Sequence, residues 1–201
     1  MSATAIVLAA GVGRRMGRDK ALLDLGGRLS IQRVVAACLD GGAESVIVVR
    51  GASDARLPAD VTDRAAVVRI ARTEEMIASL RVALRRGSPE PTAVLVFPVD
   101  YALVDAPVVA ALLRSLAEGA AKVALPLHAD RPGHPVALVG ELVPEVLEAA
   151  TLREVVARDR SRVTAVPVAS EWVLRDLDTP EDLAAARSWL EEGGGSPRAS
   201  E

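Results

Sequence analysis

A chain of 201 residues that is 50% hydrophobic can fill one core, because domains of about 100–200 residues bury roughly 70% of the surface their unfolded chains expose. The formal net charge of -3 is mixed along the chain without a basic stripe, which excludes nucleic acid or an anionic membrane as the main partner and points to small molecules. Cys38 is alone, so neither a disulfide framework nor a zinc site on paired thiols is built, and the N-terminal apolar run of about seven residues is too short for a membrane span or a secretory leader; the reading is a cytoplasmic protein.

In chain order, short Val-, Ile- and Leu-rich runs predict strands at Thr4–Ala9, Ser45–Val49, Val67–Ile70, Ala93–Pro98, Lys122–Leu127, Pro135–Leu138, Val163–Pro167 and Val173–Leu177. Segments of helical period lie between them at Ser30–Leu39, Glu75–Arg86, Pro107–Glu118, Glu141–Ala149, Thr151–Arg158 and Pro180–Glu192. Thr151 and Glu154 have capping-box spacing, and Thr179 precedes Pro180, Glu181 and Asp182 as an N-cap before an acidic first turn. Alternation of strand and helix from the first residues predicts an α/β fold with a mostly parallel central sheet covered on both faces. Ligands of such sheets sit beyond the carboxyl ends of the strands, so the loops after Ala9, Ile70, Pro98 and Leu177 are where chemistry is expected. Residues 1–192 read as one domain, and the polar, glycine-rich residues 193–201 as a disordered tail.

The densest local signal follows the first strand: Leu8-Ala9-Ala10-Gly11-Val12-Gly13-Arg14-Arg15-Met16-Gly17-Arg18-Asp19-Lys20. Small residues and glycines let main-chain N–H groups approach a polyphosphate, and Arg and Lys add counter-charge. A dinucleotide fingerprint would need glycine at Met16, and a Walker A loop would need Gly-Lys-Ser/Thr where Gly17-Arg18-Asp19 stands. Only two of the 24 basic residues are lysines, Lys20 and Lys122, so a lysine kept inside this loop suggests that an ammonium is chemically required there.

The run Leu8–Leu23 resembles the signature of the nucleotidyltransferases of molybdenum-cofactor biosynthesis, and the resemblance extends from Ala3 to about Trp189. It implies a Rossmann-like three-layer sandwich and a loop that wraps the triphosphate, with Arg15 and Lys20 on the phosphates. Leu8, Ala9, Ala10, Gly11 and Gly13 would border the nucleotide, and Ser79 matches the family's helix-start serine beside it. Asp100, at the end of the apolar run Ala93–Pro98, matches the family's metal-binding aspartate. Asp176 and Asp178 lie two apart in an expected strand, hence on one face. Their Asp-x-Asp-Thr-Pro-Glu-Asp-Leu ending resembles the cytidylyltransferase branch, as does Gly133-His134-Pro135, which would set His134 over the acceptor.

The resemblance implies attack by an acceptor phosphate on the α-phosphorus of a nucleoside triphosphate with Mg²⁺ bound, and CMP transfer to molybdopterin, by a monomer or weak homodimer. The chain departs from the branch at Asp100-Tyr101-Ala102 and at Ala149-Ala150-Thr151-Leu152-Arg153. A sugar-phosphate acceptor, GTP as donor and a nucleotide-binding protein without turnover therefore stay open as alternatives.

Overall fold

The structure, a computed structural model, describes residues 1–11, 17–71, 75–86, 91–119 and 121–194. Its elements run β1 (Ala3–Leu8), α1 (Ser30–Asp40), β2 (Ser45–Gly51), α2 (Ala59–Thr62), β3 (Ala66–Ile70), α3 (Met76–Arg86), β4 (Ala93–Pro98) and α4 (Ala106–Ala117), then β5 (Val123–His128), β6 (Arg131–Pro132), β7 (Val136–Val139), α5 (Val143–Glu148), α6 (Leu152–Ala157), β8 (Val163–Pro167) and α7 (Pro180–Glu191). The strands form one sheet in the order β3-β2-β1-β4-β7-β5-β6, with β8 beside β5. β7 runs antiparallel between β4 and β5, and the two-residue β6 is antiparallel to β5; the other pairings are parallel.

Side chains alternate across each strand, and here both faces are apolar. From β1 and β4, Ala5, Val7, Leu95 and Phe97 enter a core with Val34 of α1, Leu112 of α4 and Leu183 of α7. Ile6, Leu8, Val94 and Val96 point the other way, onto Leu80 of α3, Val146 of α5 and Val155 of α6. Two helical layers thus sandwich the sheet. The chain steps from β1 outward to β2 and β3, then returns to place β4 on the other side of β1, so the strand order reverses between β1 and β4. In sheets of this kind the ligand crevice lies at such a reversal, beyond the carboxyl ends of the two strands.

Two expected elements differ. Val173–Leu177 is not a strand: Glu171–Leu174 is a 3₁₀ turn, and the following residues are extended without a ladder partner. Trp172 and Val173 are buried beneath the crevice, and a short apolar run reads the same in a buried turn as in a strand. The helix expected over Glu141–Ala149 begins instead as a 3₁₀ turn, Gly140–Leu142, and becomes α-helical from Val143. Pro144 lies in the first turn of α5, the place where its missing N–H is tolerated.

The caps follow the spacing. Thr151 accepts from the Glu154 N–H, while the Glu154 carboxylate reaches back to the Ala150 N–H, one residue beyond a regular box. At α7 the box is complete, and Asp182 Oδ2 accepts from the Thr179 N–H at 2.8 Å and from the Asp178 N–H at 3.1 Å. Thr179→Ala is expected to cost about 1 kcal/mol in urea unfolding, the usual worth of an N-cap.

Candidate functional site

The glycine loop leaves the crevice at Ala9 and Ala10, both buried, and the exposed Gly11. The chain is described again from Gly17, whose φ of +59 is a conformation glycine adopts without strain. Asp19 then caps a 3₁₀ turn over Lys20–Leu22 by accepting from the Ala21 N–H at 3.1 Å, and buried Ala21 and Leu23 anchor that turn in the core. The Lys20 Nζ lies 3.2 Å from Asp100 Oδ2 and donates also to Asp178 Oδ1. Burial alone would push this ammonium down, but its hydrogen bond to Asp178 and the charges of Asp100 and Asp178 outweigh that and hold its pKa above the ordinary lysine value.

Asp100 stands two residues past β4, and its carbonyl accepts from the Leu177 N–H at 3.0 Å, which ties the segment carrying Asp176 and Asp178 to the strand end. Asp178 is fixed further by the Asp182 carboxylate of the α7 capping box. Asp100, Asp176 and Asp178 each present an oxygen within 4.8 Å of the others. Partial burial, and then the negative charges of Asp178 and Asp100, raise the Asp176 pKa. Asp100 Oδ1 is buried and finds no hydrogen-bond partner among the described residues. A carboxylate oxygen without a partner among the described residues, on one of three clustered carboxylates, fits a hard divalent cation, which takes oxygen ligands and neutralises this charge. The three aspartates thus stand together, although Asp176 and Asp178 come from a segment without regular structure and not from one face of a strand.

His134 borders the same crevice. Its N–H donates to the Val173 carbonyl at 2.8 Å, and its ring lies tilted on Tyr101 with centroids 4.6 Å apart. Gly133 is required before it, since a Cβ there would come within 2.2 Å of the Val173 carbonyl oxygen. The His134–Pro135 peptide is cis. Burial lowers the His134 pKa against the opposing charges of Asp100 and Asp176, with Arg153 adding to the lowering. Burial, followed by the charges of Asp176, Asp100 and Asp178, pushes Tyr101 up to about 12.

Lys20, Asp100, Asp176, Asp178 and His134 thus converge at the ends of β1 and β4, where Leu8 and Pro98 are register partners. Ser79 is buried within α3. Gly13 and Arg15 lie outside the described residues, as does the tail from residue 195. Lys122, the other lysine, pairs with Glu141 on the exposed surface. Sequence reasoning missed Arg50, fully buried at the end of β2, whose guanidinium binds the Asp19 carboxylate at 2.9 and 2.5 Å. The available signal was a charge closing the aliphatic run Val46–Val49 of a central strand, where a buried charge must be paired.

An α/β sandwich that gathers Lys20 and three carboxylates at the strand-order reversal is built as a nucleotidyltransferase is. Residues 5–189 match the family described as "MobA-like NTP transferase domain", and the chain belongs to that family. It is 31% identical over 191 residues to "Probable molybdenum cofactor guanylyltransferase" of Opitutus terrae, covering 88% of this chain and 90% of that protein. Among solved structures, Rv0371c of Mycobacterium tuberculosis superposes with a TM-score of 0.78 at 26% identity, over 94% of this chain and 99% of the other. A structure of that protein described as a complex with manganese matches with a TM-score of 0.70 at 24% identity, over 94% and 99% of the two chains. Among the described residues no helix is long and apolar enough to cross a membrane.

Because the His134 pKa is depressed below 6.5 in the folded protein, the unfolded state binds more protons as pH falls below that value. This residue's contribution is intact above pH 6.5 and is lost as pH drops through the folded value. Urea midpoints measured on either side of pH 6.5 should therefore differ less in His134→Gln than in the wild type.

Proposed function

We propose that the chain transfers a nucleoside monophosphate, CMP in the first reading, from an Mg²⁺-bound triphosphate to the phosphate of a pterin such as molybdopterin, releasing pyrophosphate. The observation that carries this is the meeting of Lys20 with Asp100 and Asp178 at the crevice floor, directly past the glycine loop.

The chemistry asks little beyond placement. A phosphate-ester oxygen is already ionised near neutral pH, so it bonds to the α-phosphorus without a general base, while the bond from that phosphorus to the bridging oxygen breaks and pyrophosphate leaves with the electron pair. Asp100 with Asp176 or Asp178 would hold Mg²⁺, which when bound supplies charge neutralisation at the phosphates. Lys20, relieved of its carboxylate partners by that cation, would turn its three donors to the triphosphate. Arg15 would add a second cation from the loop, on the resemblance of Leu8–Leu23 to its family. His134, kept neutral by burial and stacked on Tyr101, would line the acceptor side as a binding group.

CTP is supported by Ala10 where the guanylyltransferase branch carries glycine, and by Gly133-His134-Pro135 and Asp176–Leu183. GTP is the second reading, supported by the names of two relatives, the Opitutus terrae protein and "Molybdenum cofactor guanylyltransferase" of Rhizobium meliloti, 28% identical over 199 residues. A thermal-shift comparison of the four triphosphates with Mg²⁺ separates them, since a ligand at a hundredfold excess over Kd stabilises the native state by about 2.7 kcal/mol; the largest shift is expected with CTP. Lys20→Ala and Asp100→Ala should each lower pyrophosphate release by about 10²–10³-fold or more with the fold retained, the scale of losing one pre-set electrostatic group. Near-normal release in either variant would discredit the assignment.

A further inference from the structure

Arg50 is 0% exposed, on a strand whose other buried side chains are aliphatic, and its guanidinium is held from several directions. Nη1 donates to the Ala9 carbonyl at 2.9 Å and to Asp19 Oδ1 at 2.9 Å, and Nη2 to Asp19 Oδ2 at 2.5 Å and to the Ala55 carbonyl at 3.3 Å. Asp54 stands 3.7 Å away, itself fixed by accepting the Gly51 N–H at 2.6 Å. The sheet side thus anchors the guanidinium through Ala9, Ala55 and Asp54, and its two parallel donors are presented to Asp19. Asp19 at the same time caps the 3₁₀ turn whose first residue is Lys20.

A buried ion pair is seldom worth more to stability than a well-packed apolar side chain of the same volume, because desolvating the charges offsets their attraction. What an arginine–carboxylate fork supplies is fixed geometry. Here that geometry is passed on in one step, since the carboxylate that receives the fork also sets the backbone of the turn from which the Lys20 ammonium projects.

We infer that Arg50 and Asp19 form a positioning pair that sets the Lys20 ammonium for the triphosphate. This rests on the proposed role of Lys20, and the experiment keeps the two apart. Affinity for magnesium tripolyphosphate is measured by calorimetry in the wild type, Lys20→Ala, Arg50→Met and the double variant, with folding checked by circular dichroism.

Arg50→Met is expected to weaken binding about tenfold or more, the scale of losing a group that orients a ligand-binding residue. The double variant should then bind within about twofold of Lys20→Ala alone, because a residue that acts through another adds nothing once that other is gone. Arg50→Lys, which keeps the charge and loses the fork, should be as weak as Arg50→Met. Wild-type affinity in Arg50→Met, or losses that multiply in the double variant as a general structural defect would give, overturns the pairing. Wild-type affinity in Lys20→Ala overturns the parent reading of Lys20 and this one with it. If Arg50→Met does not fold, Asp19→Ala, at the partly exposed end of the pair, takes its place in the same cycle under the same criteria.

Discussion

Three carboxylates brought to within 4.8 Å of one another repel, and the site is organised around what offsets that repulsion. Two unit charges 4 Å apart interact by about 4 kcal/mol at the effective dielectric of a protein surface, which is large beside a net folding stability of about 5–15 kcal/mol. Lys20 supplies one compensating charge, placed between Asp100 and Asp178. The cluster still holds more negative charge than positive, which is why the Asp176 carboxyl is pushed up by its neighbours as well as by its burial. A site that keeps such an excess, with the buried oxygen of Asp100 unpartnered among the described residues, is prepared for a divalent cation.

Holding those charges is the work of the fold. Asp100 stands in a turn two residues past β4, a strand buried along its whole length, which sets where that turn begins. Asp178 comes from a segment without a ladder of its own, and its placement depends on two backbone hydrogen bonds at its borders, the Leu177 N–H to Asp100 and its own N–H to Asp182. Lys20 depends on the Asp19 cap, which depends in turn on Arg50. Asp100, Asp178 and Lys20 therefore each trace back within two contacts to a buried strand or a capped helix. That framework holds these charges in a fixed arrangement.

The parts legible in the chain were those set by local pattern. Parallel strands covered on both faces need continuous aliphatic runs, so β1, β2 and β4 stood out, and the caps at Thr151 and Thr179 followed from spacing alone. The glycine loop marked the strand end at which to look. The run Trp172-Val173-Leu174 misled because burial, whether in a turn or in a strand, selects the same residue types. Asp176 and Asp178 stand beside Asp100, but the strand geometry that was to put them on one face does not apply there.

The sequence by itself determined the class of fold, the place of the glycine-rich run after the first strand and the family signature, because periodicity, glycine spacing and motif are properties of neighbours along the chain. Only the tertiary structure decided that Lys20, 80 residues before Asp100 and 158 before Asp178, would pair with both, and that Arg50 would reach Asp19 from the adjoining strand. Those pairings depend on strand order and on which side chains the packed layers leave facing one another, and no stretch of linear sequence contains that information.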